Sequence, residues 1–351
     1  MPTTPFDSKR RRLLAAAAGL AAAPRTFAQS PREIRDATGR RIVLPARIER
    51  VYAAGPPASV LAFAVAPEKL IGWTTPFRPA ERPYVAQRHA DLPTLGRLTG
   101  RGNTANVEVV IAARPDLVFD YGAVTPTFAS LAERVQQQTG IPYVLLDGSF
   151  DRMAASMREY GAIVGAEDRG AALALYAEQV LGDLARRIAA IPAAQRPRVY
   201  YGRGPRGLDT GLAGSINVES VERAGGVNVA AELGRGGLVQ VSLEQVLRWD
   251  PQVVVTTDPN FFASVRTDPL WRSVAAVRDR RVHLAPAVPF GWIDFPPSVN
   301  RLVGLPWLAR VFHPQAFRDD LRGTVRDFYA RFYHRTPSEA QLDDLLAGTP
   351  P

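Results

Sequence analysis

Two stretches of this chain, 136 positions apart, carry the same pattern. Val107-Glu108-Val109-Val110, followed by Pro115 and Val118, matches Leu243-Glu244-Gln245-Val246, followed by Pro251 and Val254. Each copy reads as a short helix capped by Asn106 or Ser242, with an early glutamate, a stop before proline, and then a buried strand. Arg50-Val51-Tyr52 recurs as Arg198-Val199-Tyr200, opening each half. A duplicated helix–strand unit calls for two similar α/β layers, each with its own central sheet. Two such lobes leave a cleft between them, and ligands of open α/β sheets bind beyond the carboxyl ends of the strands, where that cleft lies.

The rest of the chain fits this plan. In the first half, short β-rich runs (50–54, 70–73, 116–121, 143–146) alternate with helical stretches (59–65, 107–113, 130–139). From Asp151 to about Ile191 no strand signal occurs, and Leu173, Tyr176, Ala177, Val180, Leu181 and Leu184 recur at helical spacing. Pro192 and Pro197 end that stretch before Arg198-Val199-Tyr200-Tyr201 restores the α/β rhythm. The expected organisation is an export signal over 1–28, an amino-terminal lobe over 29–150, one long linking helix over 151–192, and a carboxyl-terminal lobe with terminal helices over 193–351.

Composition removes several classes of function. The 351 residues include no cysteine, which excludes disulfide frameworks, thiolate metal sites and thiol catalysis. The net charge of +9 is unevenly distributed. Lys9, Arg10, Arg11, Arg12 and Arg25 against Asp7 put +4 of it into residues 1–28, so no nucleic-acid partner is read from it. That basic cluster precedes an apolar, Ala-rich run from Leu13 to Ala23 and small residues at Thr26-Phe27-Ala28, the three parts of a cleavable export signal. The apolar run is about half of the ~20 residues a spanning helix needs. Arg10-Arg11-Arg12-Leu13-Leu14 resembles a twin-arginine signal with Leu13 in place of the usual Phe, and no cysteine follows for lipidation. The expected mature protein starts at Gln29 and is a soluble periplasmic monomer.

The export signal, the duplicated lobes, the linking helix and the repeated Glu…Pro…Val motif together resemble the class III periplasmic substrate-binding proteins. These serve ABC importers of ferric siderophores, haem and cobalamin. The resemblance runs from about Ile42 to Leu346, and Arg281-Val282-His283-Leu284 with Gly291-Trp292 is similar to the last strand and turn of the group. It implies a binding protein with no catalysis and no resident cofactor, and a partner ABC permease dimer in the inner membrane. The implied cargo is a small-molecule metal chelate, most readily a ferric siderophore. A cobalamin, haem, nickel-chelate or molybdate-type oxyanion cargo, or an exported α/β hydrolase, is the alternative. By the same resemblance Glu108 and Glu244 are the permease-docking residues. A glutamate in a first helical turn is also favoured by ~0.3–1 kcal/mol through the helix dipole alone.

Candidate ligand contacts are the aromatic and arginine residues at predicted strand ends: Trp73, Phe77, Arg97 and Tyr121 in the first lobe, and Tyr201, Arg203, Arg206, Phe261, Phe262 and Trp292 in the second. Arginines pair with anionic oxygens through charge-assisted hydrogen bonds, and aromatic faces cover flat chelates. The four histidines, His89, His283, His313 and His334, show no metal-ligand spacing. Gly202-x-Gly204-x-x-Gly207 has the form of a dinucleotide fingerprint, but Leu208 to Gly214 reads as a loop where the fingerprint needs a helix.

Overall fold

A computed structural model of the chain describes Met1, residues 32–100 and residues 102–349. The residues read as an export signal lie outside that range. Among the described residues the strands are β1 (Arg32–Arg35), β2 (Arg41–Leu44), β3 (Val51–Ala53), β4 (Leu117–Gly122), β5 (Tyr143–Asp147), β6 (Arg198–Gly202), β7 (Asp209–Gly211), β8 (Val227–Asn228), β9 (Leu238–Gln240), β10 (Val253–Thr256) and β11 (Val282–Leu284). One parallel sheet has the order β3-β4-β5, and a second has the order β11-β10-β6-β8. The α/β class, with a central sheet in each half, agrees with the sequence expectation, and both sheets are parallel.

The duplicated motif has a mechanical basis. Val51 pairs with Leu117 in the first sheet, and Val199 pairs with Val253 in the second. The helices Val107–Ala113 and Leu243–Trp249 are each seven residues long, with Asn106 Oδ1 accepting from Val109 N at 3.2 Å and Ser242 Oγ accepting from Gln245 N at 3.2 Å. Each ends on a left-handed residue, Arg114 (φ 47°) or Asp250 (φ 41°), that turns the chain into the next strand. A helix end leaves carbonyls without partners. In the first lobe the Arg50 guanidinium donates to the Ala113 and Arg114 carbonyls at 2.8 and 2.9 Å, and in the second the Arg198 guanidinium donates to Trp249 O. Asp116 and Gln252, at matching positions, accept from the backbone N–H groups of Arg50 and Arg198 at 2.9 Å each. The repeated arginine is therefore a helix-end cap that also sets the strand register.

The strands β3, β4, β5 and β10 are buried on both faces, as parallel strands generally are, while β8 at a sheet edge exposes Val227. Phe119, Val253 and Val255 face a core shared by both sheets and the helices between them, whereas Val118 and Val254 face separate outer layers. Over the shared core lie Pro56–Val65, the linking segment and the terminal helices Arg301–Phe312 and Leu321–Phe332.

Three local expectations need correction. The linking segment is two helices, Phe150–Val164 and Glu167–Ala189, not one. The chain reverses at Gly165, in a left-handed conformation at φ 72°, and the two helices pack through a Gly161–Gly170 contact. Helical periodicity continues through that reversal because each helix buries one face along its length, Met153, Met157, Tyr160 and Val164 in the first and Leu173, Ala174, Ala177 and Leu184 in the second. Second, residues 70–73 form only single bridges, Val51 with Leu70 and Trp73 with Thr94, in place of a strand. Third, the stretch read as a loop after Gly207 contains β7, which pairs antiparallel with β9, and no helix opens there. Gly207 is needed for packing, since a Cβ would lie 2.3 Å from the Phe261 ring.

The helix crossing yields a test. A Cβ at Gly170 would lie 2.6 Å from Met157 O and 3.0 Å from Gly161 Cα, both backbone atoms, while one at Gly182 would meet nothing closer than the Arg186 guanidinium at 3.7 Å. Alanine gains up to ~1 kcal/mol over glycine from helix propensity at either site, but crowding costs ~1–3 kcal/mol. Gly170→Ala should therefore lower the urea midpoint and Gly182→Ala should raise it. Equal shifts in the two variants would contradict the close crossing.

Candidate functional site

The carboxyl ends of both sheets meet at a seam formed by residues 290–301. Its fixed point is Arg301, fully buried at the start of the helix Arg301–Phe312. The Arg301 guanidinium donates to Glu219 Oε2 at 2.9 Å, to Ile216 O at 3.1 Å, to Ser298 O at 3.2 Å and to Gly148 O, and stacks on the Phe150 ring at 4.2 Å. Glu219 also accepts from Phe150 N at 3.0 Å, capping the first linking helix where Ser149 makes no side-chain cap. Ser298 Oγ donates to Pro57 O, 2.7 Å away, just after β3. Residues that follow β3, β5 and β6 are thus bonded to one short segment.

In the second lobe the strand ends carry a buried polar network around Asp294. Each carboxylate oxygen accepts two hydrogen bonds. Oδ2 accepts from Tyr201 OH at 3.0 Å and Arg203 Nε at 2.8 Å; Oδ1 accepts from Asn217 Nδ2 at 2.9 Å and Phe295 N at 2.8 Å. Asp294 is 1% and Arg203 4% exposed, so the pair is nearly removed from water. Arg203 Nη1 is buried and has no partner among the described residues. Burial raises the Tyr201 hydroxyl well above its ordinary range, assisted by the Asp294 charge.

In the first lobe Asp120 lies within β4, towards its carboxyl end. It accepts from Tyr121 N at 2.9 Å, Tyr143 OH at 3.1 Å and Thr99 Oγ1 at 3.4 Å. Burial outweighs those bonds and pushes its carboxyl up to about 6. Tyr121 is buried, and its hydroxyl has no partner among the described residues. Burial raises that hydroxyl, with the Arg301 charge opposing.

The sequence-derived candidates separate into distinct environments. Tyr201 and Arg203 join the Asp294 network, and Tyr121 lies near the Arg301–Glu219 pair. Arg97 is half-buried and donates to Gly102 O at 2.9 Å within its own loop, while Arg206 is exposed. Phe262 is half-buried beneath the Arg266 guanidinium at 5.5 Å. Trp73 and Trp292 are not cleft faces. Trp73 donates its indole N–H to His89 O at 2.7 Å and packs on Phe63, Phe77 and Phe290; Trp292 is fully buried and donates to Tyr329 OH at 3.1 Å. Phe261 is likewise core, packed on Trp271. Strand-end aromatics are equally suited to closing a core, and sequence does not separate the two uses. His283 lies in β11, where burial lowers its imidazole to about 4.

Glu108 and Glu244 are exposed in the first turns of the two repeated helices. Three residues connect each helix to the following strand, so helix and strand run in opposite directions. Each glutamate therefore lies at the same end of its sheet as the seam. Hydrogen bonds from its own backbone N–H and from the Ser242 hydroxyl hold Glu244 below the usual carboxylate range.

Residues missed by the sequence reading include Asn217, Glu219, Phe295 and Arg301. Their one available signal was Gly291-Trp292. A Cβ at Gly291 would lie 2.0 Å from Asp294 O, so glycine there marks a tightly folded turn.

Comparison with known proteins places this architecture. The family described as periplasmic binding protein matches residues 80–289. The molybdate-binding protein MolA of Haemophilus influenzae is 29% identical over 262 residues, 67% of this chain and 72% of that protein. Its structure with molybdate bound superposes with a TM-score of 0.72 at 25% identity, covering 88% of this chain and 99% of that one. An ABC transporter solute-binding protein from Sulfurospirillum deleyianum superposes with a TM-score of 0.82 at 29% identity, covering 90% of this chain and 98% of that one.

The Asp120 environment generates a pH-dependent prediction. Unfolding returns its carboxyl from about 6 to the ordinary 3.8. The folded state therefore holds this proton more tightly. The resulting stability is fully present below about pH 4 and is lost as pH rises through about 6. That difference corresponds to roughly 3 kcal/mol. Asp120→Asn, which keeps a partner for Tyr121 N and Tyr143 OH, should raise the neutral-pH melting temperature and remove this part of the pH slope. An unchanged slope in thermal melts of the variant would contradict the assignment.

Proposed function

Because the chain belongs to the periplasmic binding protein family, we propose that it is the solute receptor of an ABC importer and that its cargo is a small oxyanion of the molybdate type. Members of this family deliver solute to an ABC permease in the inner membrane. The observation that carries the cargo assignment is Arg203. Its Nε is held by Asp294 while its Nη1 is buried and unpartnered, leaving one oriented, charge-assisted donor at the end of β6. The similarity to MolA supports the same class of cargo. A metal chelate such as a ferric siderophore, cobalamin or haem draws less support. Trp73 and Trp292, the expected covers for a flat ligand, spend their rings and N–H groups inside the protein.

The same network argues for binding without turnover. Asp294 accepts four hydrogen bonds, two on each oxygen, and so has no site left at which to take a proton from a substrate. Export through the amino-terminal signal belongs to this reading, since related family members are periplasmic or lipoprotein receptors. So does docking through Glu108 and Glu244. The two glutamates occupy equivalent points of a duplicated fold and suit a permease of two similar subunits. Exposed ion pairs of that kind set orientation and association rate more than affinity.

Calorimetric titration with molybdate, run in parallel with uptake measurements in cells, tests both parts. Arg203→Ala should weaken molybdate by ~1.5–3 kcal/mol, the range for hydrogen bonds to charged groups. Glu108→Arg with Glu244→Arg should retain molybdate binding but lose uptake. If wild-type protein ignores molybdate yet its fluorescence is quenched by a ferric catecholate or hydroxamate, the cargo is a chelate. Unimpaired uptake in the double variant would leave the glutamates as helix-terminus charges.

A further inference from the structure

Phe295 is in an unfavourable backbone conformation for a bulky residue. Its φ is 58°, and the residue is 55% exposed. Arg114 and Asp250 also have positive φ, but each ends a helix, where a left-handed residue completes the cap. Phe295 ends none. A large side chain remains in the left-handed region only where its surroundings impose it. Here its N–H donates to Asp294 Oδ1 at 2.8 Å, and its carbonyl accepts from Gly291 N at 3.1 Å. The neighbouring turn is pinned by Asn300, which donates to Pro296 O at 2.9 Å and to Gly291 O.

This conformation places the Phe295 ring over the Arg203 guanidinium, 4.5 Å from Cζ to the ring centroid. Asp294 holds Nε of the same guanidinium, and Nη1 is the buried atom without a partner. The exposed ring thus covers the one oriented cationic donor in the network. An arginine that pairs with an anion in bulk water gains little, because water screens the charge; the same donor kept dry and fixed interacts more strongly.

We propose that Phe295 is the positioning residue of the oxyanion site, an aromatic cover that keeps Arg203 dry and directs Nη1 at the bound anion. The inference rests on the oxyanion reading above. It assigns Phe295 a role in affinity and salt tolerance through Arg203, and the strained turn serves to hold the cover in place.

The test uses full-length protein and the variants Phe295→Ala, Phe295→Gly and Phe295→Tyr, with molybdate as the probe. Phe295→Ala should bind molybdate about tenfold more weakly, between the values for exposed and for fully desolvated cation–π contacts, and lose more affinity on going from low to high salt. Phe295→Gly, which relieves the backbone conformation, should show the same loss, and Phe295→Tyr should restore wild-type behaviour. Independently of any cargo, phenylglyoxal labelling read by peptide mass spectrometry should modify Arg203 severalfold faster in Phe295→Ala. The fully buried Arg301 should remain unlabelled, reporting an intact fold. Unchanged Arg203 labelling, or a glycine variant that binds as wild type does, would overturn the proposal. If Arg203 labelling rises but wild-type protein binds neither molybdate nor sulfate, the cover stands and the oxyanion reading falls. If wild-type protein binds molybdate and Phe295→Ala binds it equally well, the reading stands and the positioning role falls.

Discussion

Glu219 and Arg301 form the contact on which the arrangement of the two sheets depends. Glu219, largely buried, caps the first linking helix through Phe150 N and receives the Arg301 guanidinium, whose other donors reach Gly148 O after β5 and Ile216 O before the helix Glu219–Arg223. A buried ion pair contributes little net stability compared with a well-packed apolar pair, but losing one partner strands a charge at ~3–5 kcal/mol. Its value here is positional. The donors of a planar guanidinium are aimed at acceptors from both halves of the chain, and only one relative placement satisfies them together. The shared core beneath it contains residues from both sheets, so the lobes are joined by packing as well as by polar bonds.

That fixed seam explains how a protein with short strands can present an ordered polar site. Residues 290–301 leave β11, form the turn that holds Asp294 and Phe295, bond Ser298 to Pro57 and end at Arg301. The Asp294–Arg203 network is therefore built on a segment already tied to the first lobe. The linking helices add stiffness, since the Gly161–Gly170 contact lets them pack along their length with backbone nearly touching backbone.

Much of the scaffold was legible in the sequence because it depends on local, repeated chemistry. Asn106 and Ser242 cap the two short helices, Pro115 and Pro251 stop them, and Arg50 and Arg198 close their ends. The caps and proline stops act within a few residues, whereas Arg50 and Arg198 reach 51 to 64 residues along the chain and show in the sequence only because Arg-Val-Tyr is repeated. The hairpin of β1 and β2 escaped notice because its exposed face alternates with only two buried residues, Ile42 and Leu44, too short a pattern to separate from a loop. The site was less legible. Arg203 and Tyr201 could be placed at a strand end, but their partner Asp294 is 91 residues from one and 93 from the other. Phe295 was invisible because its role follows from a positive φ imposed by Asp294 and Gly291. Trp73 and Trp292 show the converse: residue type and position suited a cleft, and packing assigned them to the core.

The seam holds the two lobes in one relative position through Ser298, Glu219 and Arg301. The chain has no native cysteine, so a pair of spin labels can be introduced without background. Ile111→Cys and Arg248→Cys place one label on the exposed part of each repeated helix. The distance distribution between them, measured by pulsed electron resonance with and without saturating molybdate, reads the lobe arrangement directly. A fixed seam gives a single narrow distribution that molybdate leaves essentially unmoved. A broad or two-peaked distribution in free protein, collapsing to a shorter distance with cargo, would show a hinge in place of a fixed seam.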